Sequence, residues 1–171
     1  MKSRERTLIV SAQNGDAEAF AELVSHYRDR LLRFLLLRCG QREDAEDAVQ
    51  EAMINAWRYL PSYQPRWQFS TWLYRIGINS LTAGRRNDMA LDEARTASHD
   101  SLHALEMDNV WRLARAQLSE DACSALWLRY AEDASTKQIA DVMSRSNAWV
   151  KVSLLRSRRK LARIASEDLA P

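Results

Sequence analysis

The sequence predicts an all-α fold, two small helical domains joined by a linker, on three observations. Apolar residues recur at steps of three and four through most of the chain, the spacing of helices that bury one face. Gly and Pro are scarce, four and three among 171 residues, leaving few helix breakers and little turn material for a sheet. From about residue 87 to 104 the periodicity lapses into small polar and acidic residues, "NDMALDEARTASHDS", as an interdomain linker would. The expected domains are therefore 1–86 and 105–171, with 87–104 between them and a helix-turn-helix in the second.

In the first domain, "AEAFAELVSHYRDRLLRFLLLRC" places Phe20, Leu23, Val24, Tyr27, Leu31, Phe34 and Leu35 on one helical face. Asp16 is the expected N-cap and Gly40 the stop. A second helix covers about 42–60, with Ala45, Ala48, Val49, Ala52, Met53, Ala56, Trp57 and Leu60 as its apolar stripe, and Pro61 prevents continuation. The loop "PSYQPRWQ" follows, then a third helix over about 69–86.

The second domain reads as short helices at about 105–117, 120–131, 136–143 and 147–163. "STKQ" at Ser135–Gln138 fits a capping box, in which the Ser hydroxyl and the Gln side chain each satisfy a backbone N–H at the helix start. The segment from Thr136 onward is then helix, short turn, helix, with Ile139, Val142 and Met143 facing Val150, Leu154 and Leu161.

Apolar residues at 46% and charged residues at 28% belong to a folded, helix-rich chain rather than a disordered one. The apolar run near the start is too short for a signal-peptide core or a membrane span, so a cytoplasmic protein without membrane insertion is expected. Cys39 and Cys123 read as buried free thiols, since neither has a Cys or His at metal-ligand spacing. His99 and His103 are four apart, but no further ligand completes a set, so no metal site is expected. No catalytic constellation, phosphate-cradling Gly loop or cofactor motif stands out, and no enzyme is read here.

Net charge is only +2, but its distribution is uneven. Residues 64–87 hold four Arg and no acid, 88–108 six acids and one Arg, and 147–163 six Lys or Arg and no acid. Such blocks point to nucleic acid on the basic segments and to a basic partner on acidic ones. The helix Asn147–Arg159 has the chemistry of a recognition helix, an apolar rear and a front of donors and cations. In "PRWQFSTWLYRIGINSLTAGRR", the aromatics Trp67, Phe69, Trp72 and Tyr74 interleave with Arg66, Arg75, Asn79, Arg85 and Arg86. Rings stack on unpaired bases while cations follow the sugar-phosphate backbone, so single-stranded nucleic acid is the implied ligand. Helical spacing puts Trp72 on one stripe with Leu73 and Ile76, core more than contact, whereas Trp67, in the loop, is the better exposed candidate.

The acids need a separate explanation. The first ten residues of "REDAEDAVQEAMINAWRYL" carry Glu43, Asp44, Glu46, Asp47 and Glu51 against one base. Like charges four apart on a helix cost about 0.2–0.5 kcal/mol per pair. The helix dipole offsets that cost for acids in the first turn but not for Glu51, farther along, which favours a docking face for a basic surface.

Three stretches, "DAEDAVQEAMINAW", "FSTWLYRIGIN…RR" and "KQIADVMSRSNAWVKVSLLRSRRKL", resemble in order and spacing the signature segments of the extracytoplasmic-function (ECF) sigma factors of the sigma-70 family. The resemblance spans about 16–86 and 105–163. It implies a subunit that binds core RNA polymerase, recognises promoter DNA at the −35 and −10 elements and promotes melting, with an anti-sigma factor as a further partner. By that likeness Asp44, Glu46, Asp47, Gln50 and Glu51 dock on the polymerase. Tyr63, Arg66, Trp67, Trp72, Arg75, Asn79, Arg85 and Arg86 meet the unpaired −10 element. Asn147, Trp149, Lys151, Ser153, Arg156, Arg158 and Arg159 meet the −35 duplex, and residues 87–104 thread toward the polymerase cleft. The recognition helix departs from the family pattern: "AWVKVS" at Ala148–Ser153 stands where Gly-Thr-Val-Lys-Ser-Arg is common, and Ser144 replaces a frequent turn Gly. The alternative is a helix-turn-helix regulator that binds duplex DNA without polymerase.

Overall fold

Residues 2–91 and 109–168 are described in a computed structural model, and among them there are only helices and connections. The order is α1 (Lys2–Gln13), α2 (Ala17–Cys39), α3 (Arg42–Tyr59), a 3-10 turn (Leu60–Ser62), α4 (Phe69–Leu91), α5 (Asn109–Gln117), α6 (Glu120–Tyr130), α7 (Thr136–Met143) and α8 (Asn147–Asp168). They form two compact units. One holds α1, α2 up to Leu35, α3 and α4; the other holds α5–α8 together with Leu36–Arg42.

The first unit is built on α2 and α4. Asp16 caps α2, its carboxylate accepting from the Ala19 N–H at 3.0 Å. Leu23, Leu31, Phe34 and Leu35 are sealed from solvent, and Phe34 meets Tyr74 of α4 edge-on at 4.8 Å between ring centres. The two helices pack closely because α4 carries Gly77 at their contact, where a Cβ would come within 2.8 Å of Leu31 Cδ1. On α3 the buried face is nearly all small: Ala45, Ala48, Val49, Ala52 and Ala56. Trp57, expected on that stripe, instead stands 38% exposed with Phe20 at 5.0 Å. The helix α3 ends at Tyr59, and Pro61 is the second residue of the 3-10 turn, in its first turn, where a missing N–H costs little.

The helix α1 was not expected from the sequence. Its apolar residues are few, yet its Gln13 amide donates to the carbonyls of Leu60 and Tyr63 at 3.1 and 3.0 Å, bracing the turn that follows α3. At the other end of the unit, α4 continues to Leu91, past the expected domain boundary at 86. The rest of the expected linker, including His99 and His103, lies outside the described residues.

In the second unit Ser135 and Gln138 form the expected capping box at α7, with bonds of 3.2 and 2.8 Å. Ile139, Val142, Val150 and Leu154 are buried where α7 meets α8. The turn between them is made at Ser144, whose φ of 53° and ψ of 44° put a non-glycine residue in the left-handed region. The Arg145 N–H reaches back to the Ala140 carbonyl at 2.9 Å, which closes the helix end and holds Ser144 in a conformation that costs roughly 1–2 kcal/mol for a residue with a Cβ. Ser146 then caps α8 by accepting from the Trp149 N–H at 3.1 Å. Cys39 and Cys123 are buried free thiols, and burial pushes the Cys123 thiol up to about 11.

Candidate nucleic-acid interface and acidic groove

On α3 the alanine stripe faces inward, so the acids must face out. Glu43, Glu46, Asp47, Gln50 and Glu51 are exposed and Asp44 is half-buried. Asp44, Asp47, Gln50, Glu51 and the half-exposed Ile54 form one wall of an open groove of about 480 Å³, whose other wall comes from α4. That second wall includes Ala83, Gly84, Arg85 and the Ser80 hydroxyl, which is buried and finds no hydrogen-bond partner. Glu51 accepts from the Asn55 amide at 3.0 Å, so this carboxylate, beyond the reach of the helix dipole, is held in place by its own helix. Sequence reasoning identified the acids but missed the contribution of α4; Arg85, assigned to nucleic acid, lies on this groove.

The loop after α3 leads into α4 through a cluster of rings. Tyr63 is 6% exposed, 5.7 Å from Phe69 and 5.1 Å from Trp72, and its hydroxyl donates to the Trp67 carbonyl at 2.6 Å. Desolvation, assisted by the charge of Glu5, pushes its phenol up to about 12. The ring of Tyr63, expected at the −10 element, is thus taken up in packing and shapes the loop from within. Trp67 and Trp72 are half-buried, and Arg66 is exposed. Along α4, Arg75, Asn79 and Arg86 are exposed at steps of four and seven, one strip of a helix, with Trp72 at its upper edge. Ring edge and donors thus share a surface, whereas Phe69 and Tyr74 are core.

At 3.6 residues per turn, the residues of α8 opposite the buried Val150, Leu154 and Ser157 are Ala148, Val152, Leu155 and Arg159, and all four are exposed. Asn147, Lys151, Arg156 and Arg158 are exposed around them. Trp149 and Ser153 lie to one side, half-buried, where they line a cleft of about 300 Å³ with Ser119, Arg156 and Lys160. Trp149 is held there by the guanidinium of Arg145, 5.3 Å from its ring centre. Arg145 in turn donates to Asp121 at 2.5 Å, and Asp121 also accepts from Arg38 at 2.9 Å. Burial pushes the Asp121 carboxyl upward, but hydrogen bonds from Arg145 and Arg38 outweigh it and hold the group below the usual carboxylate range. Val152 and Leu155 were missed in the sequence because attention went to charge; a helical wheel anchored on Val150 and Leu154 would have found them.

Residues 23–88 match the family model of sigma-70 region 2. The chain is 31% identical to the ECF RNA polymerase sigma-E factor of Haemophilus influenzae, covering 92% of this chain and 93% of that protein. The chain belongs to the ECF sigma factors. A second relative, the RNA polymerase sigma-H factor of Pseudomonas aeruginosa, is 30% identical over 94% of this sigma factor and 93% of its own length. Among solved structures, the sigma factor RpoE of Bartonella quintana, crystallised with the anti-sigma factor NepR, shares the fold with a TM-score of 0.68 at 20% identity, covering 88% of this chain and 98% of that one. Among the described residues of this sigma factor, no group of His, Cys, Asp and Glu is placed to hold a metal, and no helix is long and apolar enough to cross a membrane.

Proposed function

We propose that this ECF sigma factor works as the promoter-reading subunit of RNA polymerase through three separate surfaces. The acids Asp44, Glu46, Asp47, Gln50 and Glu51 dock α3 on a basic surface of the core enzyme. The loop bearing Arg66 and Trp67 and the strip Trp72, Arg75, Asn79 and Arg86 on α4 receive unpaired bases and backbone of the −10 element, while α8 reads the −35 element as duplex. Residues 1–91 and 109–171 are the parts proposed to do this, with the first domain extended to the end of α4. No hydrolytic step is needed. Bases that leave the stack are held against ring edges and donors, offsetting an unstacking cost of a few kcal/mol.

The observation that carries this reading is the segregation of charge by surface. Carboxylates crowd the exposed face of α3, a surface complementary to a basic one. The exposed strip of α4 and the whole of Asn147–Arg163 hold cations and no acid. The protein acts in the cytoplasm, and since the Bartonella quintana relative was crystallised with an anti-sigma factor, an inhibitor of that class is proposed as a further partner.

The test reverses charge on the docking face. Asp47→Lys combined with Glu51→Lys is expected to weaken co-purification with core polymerase at low salt by more than tenfold, with circular dichroism unchanged. Core binding that survives both changes removes the docking role of α3. Tight duplex binding in gel shifts without polymerase would favour an independent helix-turn-helix regulator instead.

A further inference from the structure

The outermost strip of α8 is apolar at its centre. Val152, at the rim of the cleft beside Trp149, is 45% exposed and Leu155 47%, and they stand three residues apart on the side of α8 away from Val150 and Leu154. Isolated surface aliphatics are ordinary. Two in succession at the middle of a cationic face are not, since each is only about half withdrawn from water and leaves the rest of its burial energy unrealised. The surrounding charge restricts what can cover them: Lys151, Arg156, Arg158, Arg159, Lys160 and Arg163 include no counterbalancing acid between 147 and 163. The occupant must be a polyanion that offers apolar patches between two rows of negative charge. The major groove of duplex DNA is such a surface, and its exposed apolar group is the 5-methyl of thymine.

We propose that Val152 and Leu155 read thymine methyl groups on neighbouring base pairs of the upstream promoter element, and that they set its sequence together with the flanking cations. Three residues advance a helix about 4.5 Å along its axis, close to the roughly 3.4 Å between base pairs. A helix lying along the groove therefore brings the two side chains to adjacent steps. Ala148, one turn earlier and equally exposed, is short enough to let the helix start approach the base edges. Lys151 and Arg159 on either side are long enough to reach phosphates while the aliphatics stay on the bases. The inference rests on the duplex-reading role proposed for α8 and adds to it the chemical identity of what is read.

The experiment uses holoenzyme assembled from the full chain and core polymerase. A promoter library randomised upstream is selected for binding, and in the enriched duplex each thymine is replaced singly by deoxyuridine, which removes only the methyl group. Two neighbouring replacements are expected to weaken binding by about fourfold each, the effect of losing one buried methyl. Leu155→Ala and Val152→Ala, both at exposed positions that leave folding intact, should each abolish the sensitivity at one of those positions without altering the salt dependence of binding. Lys151→Ala should do the reverse, lowering the salt slope by about one and leaving methyl sensitivity in place. An enriched element indifferent to deoxyuridine at every thymine overturns the methyl reading while leaving the duplex role of α8 standing. Selection that enriches no duplex element overturns both.

Discussion

The helices α4 and α8 are both long and both cationic on one side, yet they handle their apolar residues in opposite ways. On α4 the aromatics turn inward: Phe69 and Tyr74 are buried, Trp72 shows only an edge, and the exposed strip is Arg75, Asn79 and Arg86. On α8 two aliphatics point outward from the middle of the charged face. The difference follows what each surface is proposed to meet. An unpaired base brings its own large ring and needs a pre-shaped ledge with donors beside it. A base pair inside a duplex offers only its edge, which calls for small, outward side chains that enter a groove.

The largest effect that would break this comparison is structural. Phe69→Ala removes a ring that touches Tyr27, Tyr63 and Trp72 within 5.4–5.7 Å and is expected to cost about 3–5 kcal/mol in urea unfolding. A loss below about 1 kcal/mol would mean that the ring cluster is loosely built and free to open toward DNA, contrary to the contrast drawn here. A functional split comes next. Arg75→Ala with Asn79→Ala should leave folding and closed-complex binding in place while reducing permanganate reactivity of the melted −10 region by more than tenfold. If closed and open complexes suffer equally, the α4 strip is holding duplex and the two helices do the same task.

The smallest effect concerns pH. Tyr63, raised to about 12, stays neutral in the folded chain at a pH where the unfolded phenol has begun to ionise near 10. Its contribution to stability is therefore complete below pH 10 and lost as pH rises from there toward 12. Tyrosinate absorbance should show a late step well above pH 10 that Tyr63→Phe abolishes. A titration profile unchanged above pH 10 by Tyr63→Phe would show the ring cluster open to water.

Much of this architecture could be read from residue order. The helix α2, its Asp16 cap and Gly40 stop, the alanine stripe of α3 and the Ser135–Gln138 capping box were legible because each is a local pattern whose physics acts within a few residues. The helix α1 was not, because Gln13 is explained by carbonyls 47 and 50 residues away. The burial of Tyr63 was hidden for the same reason. Its neighbours in sequence are polar loop residues, and only the fold brings Phe69 and Trp72 around it. The groove under the acids was invisible because one of its walls, Ser80 to Arg85, carries no charge pattern that announces it. On α8 the opposite failing applied: the cations were conspicuous enough to hide the two aliphatics among them.

The Gln13 amide has a consequence for how such a chain is made. Helical proteins fold fast when their contacts are near in sequence, and α1 does pair with the helix that follows it, Arg4 with Glu22 and Glu5 with Tyr27. Its Gln13 is tied in later, since the carbonyls it grips stand 47 and 50 residues further along the chain. The end of α1 is therefore fixed last, and the turn after α3 gains its brace only once that later stretch of chain is in place.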